Sequence, residues 1–375
     1  MPKSEALAVP LAMDRPAPPP AARLKFTPGD GFDVELRRRV DAYFESTGQT
    51  PRDIPRMYFK TAVVLGWMAA SYVLLVFFAA AWWQVVLLAL SLGLAVAAVG
   101  FNVQHDGNHR AYSNHRWVNR LAAMTLDLLG GSSYVWSWKH NSIHHSYANI
   151  TGHDDDVNLG PLGRLTPHQP RRLFHGWQHF YLWILYGFLP VKWHWFDDFF
   201  VVAKGRIGEY PFPRPTGWDL VTFITGRAIF FTLALVIPVW LHPLWVVLLV
   251  YAAIAYVEGV LLAVVFQLAH CVEEAEFPMP ALDSARMPTG WAAHQVQTTV
   301  DFARKNRWLS WYIGGLNFQI EHHLFPQVCH LHYASLAPIV EQTCKDFGLR
   351  YASNPTFLGG VASHYRWLRR MGRAA

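Results

Sequence analysis

Between Thr61 and Val103 the chain runs for 43 residues without one Asp, Glu, Lys or Arg. A hydrocarbon core is crossed by about 20 helical residues, so this run predicts two transmembrane helices turning near Ala81. A second apolar stretch, about 220–268, is interrupted only by Arg227 and Glu258 and predicts another hairpin, turning at Pro238 and Pro243. Charged residues make up 15% of the chain, against about 25% in a typical soluble domain. The deficit is concentrated in these two stretches, which assigns them to lipid rather than to an unusually apolar soluble core.

Lysine and arginine set the expected orientation, because basic residues near helix ends are retained on the cytoplasmic side. The turns near Ala81 and His242 contain none. The flanks carry Arg52, Arg56, Lys60, Arg110, Arg116, Arg120 and the cluster Arg366, Arg369, Arg370 and Arg373. Both termini and the polar segments that follow the hairpins, with the active site they carry, are therefore expected in the cytoplasm. The formal charge of +6 suits an anionic leaflet or an acidic electron donor, and no motif supports nucleic acid as a partner. Cys271, Cys329 and Cys344 have no metal-binding or redox spacing, and fit packing roles in a reducing compartment. The leader, residues 1–24, is rich in Ala and Pro and reads as a disordered tail without a secretory signal. A helix is expected over Phe32–Phe44. Trp177–Trp195 is aromatic but holds Pro190, Lys192 and His194, which predicts an interfacial segment rather than a span. The expected class is an all-α membrane protein of two hairpins, with a helical cap built from 104–219 and 269–375.

Three histidine clusters follow the apolar stretches: His105/His109, then His140/His144/His145, then His322/His323 with Gln319 three residues before. Neutral imidazole is a common transition-metal ligand, so three sets at helical spacing point to a polynuclear site. His105 and His109 are four apart and share a helix face, as do His140 and His144. His145 is rotated by about 100° from His144 and can reach a different ion. The adjacent pairs suit a dinuclear centre, with one imidazole for each metal. Counting about 1.5 Å per residue from Trp82, the second helix reaches His105 after about 35 Å; from Trp245 the fourth reaches His270 after about 38 Å. Both exceed a core about 30 Å thick, so these histidines project beyond it at one height. Gly107 costs about 1 kcal/mol in a helix relative to Ala unless close packing requires it. His115, His153, His168, His175, His194, His242 and His364 read as caps or interfacial side chains. His179, His294, His330 and His332 read as supporting groups rather than ligands.

The three boxes resemble those of the membrane fatty acid desaturase family. The resemblance also rests on Ser146-Tyr147-Ala148-Asn149 and Asp154-Asp155-Asp156 after the second box, and on Gly314-Gly315-Leu316-Asn317-Phe318 before the third. Gln319, standing where other branches have histidine, is similar to the linoleoyl-CoA and front-end branch. The resemblance covers residues 31–375. It implies a mushroom of four transmembrane helices under a cytoplasmic cap holding two irons, with His105, His109, His140, His144, His145, His270, His322 and His323 as ligands. Gln319 or Gln267 would hold a metal-bound water, and Asp106, Asn149 and Asp154 or Asp156 would orient the imidazoles. Box two departs from one common pattern by having three residues between His140 and His144.

The implied chemistry is desaturation of a fatty acyl chain to a cis double bond, consuming O2 and two electrons. Taking hydrogen from an unactivated alkyl carbon is beyond side-chain acids and bases and needs a redox metal, a role zinc cannot fill. The acyl group would ride on coenzyme A, a carrier protein or a membrane lipid, its tail read by an apolar tunnel. No His-Pro-Gly-Gly haem motif and no Gly-rich dinucleotide fingerprint occurs, so electrons are expected from a separate ferredoxin or cytochrome b5 with its reductase. A hydroxylase or acetylenase on the same scaffold is the nearest rival; a membrane metal transporter or sensor is the rival from another class. Arg227 and Glu258, ionisable groups inside apolar stretches, are expected to form an ion pair bracing the stem, or to line the tunnel.

Overall fold

The computed structural model describes residues 24–281 and 284–373. The leader expected over 1–24 falls outside these residues except for Leu24, which is buried. The first half supplies α1 (Phe32–Thr47), α2 (Pro55–Phe78), α3 (Trp82–Asn108), α4 (Arg116–Ala123), the π-helical α5 (Ser137–His144), α6 (Gln178–Tyr186) and α7 (Asp198–Lys204). The second supplies α8 (Gly217–Leu241), α9 (Leu244–His270), α10 (Trp291–Thr298), α11 (Gln319–Leu324), α12 (Tyr333–Asp346) and α13 (Phe357–Gly372). Among the described residues, strands form only two short ladders, Arg206–Ile207 with Tyr210–Pro211 and Asp301–Phe302 with Ser353–Asn354.

Helices α2, α3, α8 and α9 are long and apolar enough to cross a membrane. Their outer faces keep large apolar side chains exposed, among them Phe77, Trp82, Leu87, Trp240 and Leu249, as expected where the solvent is lipid. Both predicted hairpins are present, and the first outruns its charge-free stretch at both ends, α2 taking in Arg56 and Lys60 and α3 taking in Asp106. Helices α3 and α9 have 27 residues each, about 40 Å, so roughly 10 Å of each lies beyond a hydrocarbon core about 30 Å thick. They pack against each other closely: a Cβ on Gly93 would sit 2.9 Å from Val257 Cβ. The second turn falls at His242–Pro243, whereas Pro238 lies inside α8. The π-helical turn Thr232–Val236 just before it shifts the hydrogen-bond register where proline's missing N–H would break an α-helix.

The expected ion pair between Arg227 and Glu258 does not form. Arg227 pairs with Asp198 at the start of α7, its guanidinium flanked by the rings of Phe199 and Phe223. The chain at Asp198 reaches the level of Arg227, so the nearest carboxylate comes from the connection between the hairpins. Glu258 lines an apolar cavity between the hairpins.

That connection dips toward the stem. Gly187 abuts Tyr256, and Gly259 of α9 approaches the carbonyls of Tyr186 and Gly187. Gly259 stands 11 residues before His270, about 17 Å along the helix, which is inside the hydrocarbon thickness. Trp177, Phe180, Ile184 and Phe188 are exposed along this stretch. The cap core gathers Leu268, Phe302, Trp367 and Leu368 beside the end of α9, and α1 packs with α12 around Phe32, Leu36 and Leu336.

Candidate metal centre

Box one ends α3. A π-helical turn, Gly100–Gln104, precedes it, and such bulges inside α-helices cluster at functional sites. Gly107 is explained by packing: a Cβ there would lie 2.4 Å from the Ala123 backbone nitrogen and 2.7 Å from the Ala122 carbonyl carbon. Helix α4 thus presses directly on the box and fixes its height. The His105 and His109 rings lie 4.7 Å apart.

Box two runs through α5 to His145, the residue that caps it, and both members of the adjacent pair stay near His140. The His140 and His144 rings stack at 5.0 Å, and His145 turns edge-on to His140 at 4.8 Å. Trp136 also stacks on His140, at 4.2 Å. Box three is the short helix α11, whose six residues are all buried.

The structure brings all eight histidines together. The nitrogens of His105, His109, His140 and His322 lie within 4.8 Å of one another, as do those of His144, His270 and His323. Ligands about 2.1 Å from one ion lie at most about 4.2 Å apart, so each set needs only slight contraction around a metal. His322 and His323 fall one into each set; His145 lies within the same reach of both. His270, alone in sequence, is brought in by the projection of α9.

The donor set fits a metal by its unused atoms. Nε2 of His109, His144, His322 and His323, Nδ1 of His145 and Nδ1 of His270 are buried without a hydrogen-bond partner. Several of these rings are held from the far side. Nδ1 of His144 donates to Asp154 Oδ2 at 2.9 Å, Nδ1 of His323 to Gln295 Oε1 at 2.8 Å, and Nδ1 of His322 faces the Tyr333 hydroxyl at 3.2 Å. A proton fixed on Nδ1 leaves the Nε2 lone pair for an ion, the usual way a protein orients a ligating imidazole. Burial and neighbouring imidazoles hold His109, His145, His322 and His323 well below the usual histidine range and bring His140 to about 3. Neutral rings are what ligation requires. For His144 burial works in the same direction, but Asp154 and Asp156 outweigh it and raise its pKa.

Asp156 lies 3.5 Å from His140 Nδ1 and is paired with Lys139 at 3.2 Å. Asn149 bonds the carbonyls of His270 and Thr298 at 3.0 Å each, tying the end of α9 to the segment after box two. The Gln319 amide lies 3.0 Å from His270 Nε2, so it orients that ring; Gln267 Oε1 is buried without a partner. Asp106 accepts from His330 Nδ1 at 2.8 Å, and Lys60 Nζ donates to His330 Nε2 at 2.9 Å. Gln295, Tyr333 and Lys60 carry no signal as site residues in sequence. Lys60 reads there as a topology charge, yet it is buried; its position as the last charge before the 43-residue run was the available clue.

The sequence pattern of the fatty acid desaturase family matches residues 80–355. The chain is 41% identical to a protein named sn-1 linoleoyl-lipid 6-desaturase from Arthrospira platensis, over 93% of this chain and 95% of that one. It is 37% identical to a protein of the same name from Synechocystis sp., over 95% and 99% of the two chains. It is also 37% identical to an acyl-lipid (8-3)-desaturase from Physcomitrium patens, over 92% of this chain and 72% of that one.

Proposed function

The chain belongs to the fatty acid desaturase family, and from that premise we propose that it is a di-iron, front-end acyl-lipid desaturase acting on a linoleoyl-type chain. It is an integral membrane oxidoreductase whose substrate is a fatty acyl lipid. The proposed reaction turns –CH2–CH2– into a cis –CH=CH–, and the two hydrogens removed leave with O2, two electrons and two protons as two waters. The observation that carries the reading is the convergence of eight buried histidines, six of them with a buried ring nitrogen that has no hydrogen-bond partner.

His105, His109, His140, His144, His145, His270, His322 and His323 would hold the irons. Bound there, the metal pair supplies the oxidation by dioxygen that side-chain acids and bases lack. Asp154, Gln295 and Tyr333 hold proton positions on the ligating rings. Asp106 and Asp156 offset positive charge in a site that excludes water. A cavity of about 350 Å³ in the stem, walled by Leu92, Val96, Leu129, Phe230 and Ile254, supports a role in receiving the methyl end of the acyl chain. Val96 precedes His105 by nine residues, about 14 Å, so the tail would lie below the reacting carbons. The linoleoyl specificity rests on relatives named sn-1 linoleoyl-lipid 6-desaturase. We place the cap in the cytoplasm on the distribution of basic residues, and assign the electrons to a separate ferredoxin or cytochrome b5 with its reductase.

Expression in a heterologous host fed linoleate, followed by gas chromatography and mass spectrometry of the lipids, tests the reading. The expected product has two hydrogens fewer, a new double bond on the carboxyl side, and disappears in His322→Ala. A product that gains oxygen assigns the chain to hydroxylation. Purified protein holding zinc in place of iron removes the di-iron reading.

A further inference from the structure

Five exposed arginines collect on one edge of the cap without an acidic partner. Arg369, Arg370 and Arg373 project from the end of α13, and Arg171 and Arg172 from the segment leading into α6. The two elements are tied together: Arg171 Nε donates to the Gly372 carbonyl at 2.9 Å, and Gln178 Nε2 to the Leu368 carbonyl at 2.8 Å. No Asp or Glu occurs between Asp156 and Asp197, or after Asp346. Among the described residues Arg366 is the member of this edge with an ion-pair partner, Glu273. Arginines in a last helical turn offset the helix dipole, which accounts for one or two of α13's but not for Arg171 and Arg172.

The same edge carries apolar surface. Trp177 and Phe180 are exposed beside Arg171 and Arg172, and Leu358 is 75% exposed on α13. Between α6 and α13 an open groove of about 410 Å³ is lined by Trp183, Leu358, Val361, Ala362, Tyr365 and Arg366. Its height is fixed by His364, whose Nδ1 donates to the Cys271 carbonyl at 2.6 Å. Cys271 follows the end of α9, about 40 Å from Leu244, which is headgroup level in a bilayer of about 40–45 Å overall. The apolar face of α13 is taken up by the cap core through Trp367, Leu368 and Met371, which leaves its exposed apolar groove and its basic end free at that height.

We propose that this face binds an anionic glycerophospholipid, with an acyl chain in the groove and the phosphate at Arg171, Arg172, Arg369 and Arg373. Guanidinium matches phosphate oxygens two at a time. An acidic soluble protein would use the arginines but leave the groove and the aromatics idle, and for that reason the lipid is favoured. The site is separate from the metal centre, so its test does not depend on turnover.

Full-length protein in detergent, titrated with phosphatidylglycerol or phosphatidylcholine and read by native mass spectrometry, decides the question. Wild type should retain phosphatidylglycerol preferentially. The variant R171Q/R172Q/R369Q/R373Q should lose at least about tenfold in affinity for it, since one basic residue near an anionic surface is worth about 1 kcal/mol, or about fivefold. Ala362→Trp, which fills the groove and keeps every arginine, should also lose the lipid, and carries the test alone if the quadruple variant does not fold. Equal retention of the two lipids by wild type, or unchanged retention in Ala362→Trp, overturns the proposal. So does an acidic electron carrier that binds wild type but not the quadruple variant while both retain phosphatidylglycerol equally.

Discussion

Replacing Gln295 with leucine should loosen one of the proposed irons without touching a ligand. Gln295 and His323 are fully buried, and the Gln295 Oε1 accepts from His323 Nδ1 at 2.8 Å. Leucine keeps much of the volume and removes the acceptor, which strands a buried N–H at a cost of about 1–3 kcal/mol. At 1.4 kcal/mol per decade this is about 5- to 150-fold in affinity. It agrees with the roughly 10–100-fold expected when a histidine ligand loses its supporting hydrogen bond. Glutamate at the same place keeps an acceptor and should hold the metal at least as well as glutamine. The assay is iron per chain, by plasma mass spectrometry, after equilibration of the detergent-purified protein with increasing chelator. For Q295L the release curve should split, one iron leaving at about 10–100-fold lower chelator while the other follows wild type. Release curves for Q295L and wild type that superimpose, or a Q295E protein that loses metal as Q295L does, would refute the role given to this bond.

Gly107→Ala should destabilise by about 1–3 kcal/mol through overpacking against α4, although helix propensity alone favours alanine by about 1 kcal/mol; the sign of the change in melting temperature separates the two effects. Arg227→Ala should cost about 3–5 kcal/mol by leaving Asp198 buried and uncompensated, with much of the loss recovered in R227A/D198A. Glu258→Gln combined with Arg227→Ala should be additive; strong coupling between these two would restore the ion pair first expected. The metal-free protein should lose stability as pH falls. His294 and His364 are held at about 4 by burial, so below the unfolded value near 6.5 the unfolded chain binds protons that the folded chain does not. The stability is complete above about pH 6.5 and declines by up to about 1.4 kcal/mol per pH unit for each ring on the way down to pH 4. Melting temperatures in detergent across that range should fall steadily, and a flat or rising profile would contradict the assignment.

The spans were legible because lipid imposes a one-dimensional rule: about 20 residues with no uncompensated charge can be counted along a chain without knowing what packs on what. The overhang of α3 and α9 follows from the same count, and it carried His105 and His270 to one height before any contact was known. Pro238 shows where the count stops. A proline reads as a turn, but the π-helical register at Thr232–Val236 lets α8 continue through it.

The supporting side chains were less legible because their roles depend on approach between distant segments. Asp198 lies 29 residues from Arg227, just past the segment that reads as interfacial; Gln295 lies 28 from His323, on a helix with no histidine-box signature. The proposed ligands are all histidines, so spacing betrays them, whereas the group behind such a ring can be Asp154, Gln295 or Tyr333, three chemistries with one geometric duty. Lys60 shows the same ambiguity in a charged residue. Its position at the edge of an apolar run satisfies the topology rule completely, and its bond to His330, which bonds Asp106 beside His105, adds a second role that the rule has no means to detect. Residues that satisfy one constraint fully are the ones whose second function a linear reading overlooks, and around this centre they stand immediately behind the proposed ligands.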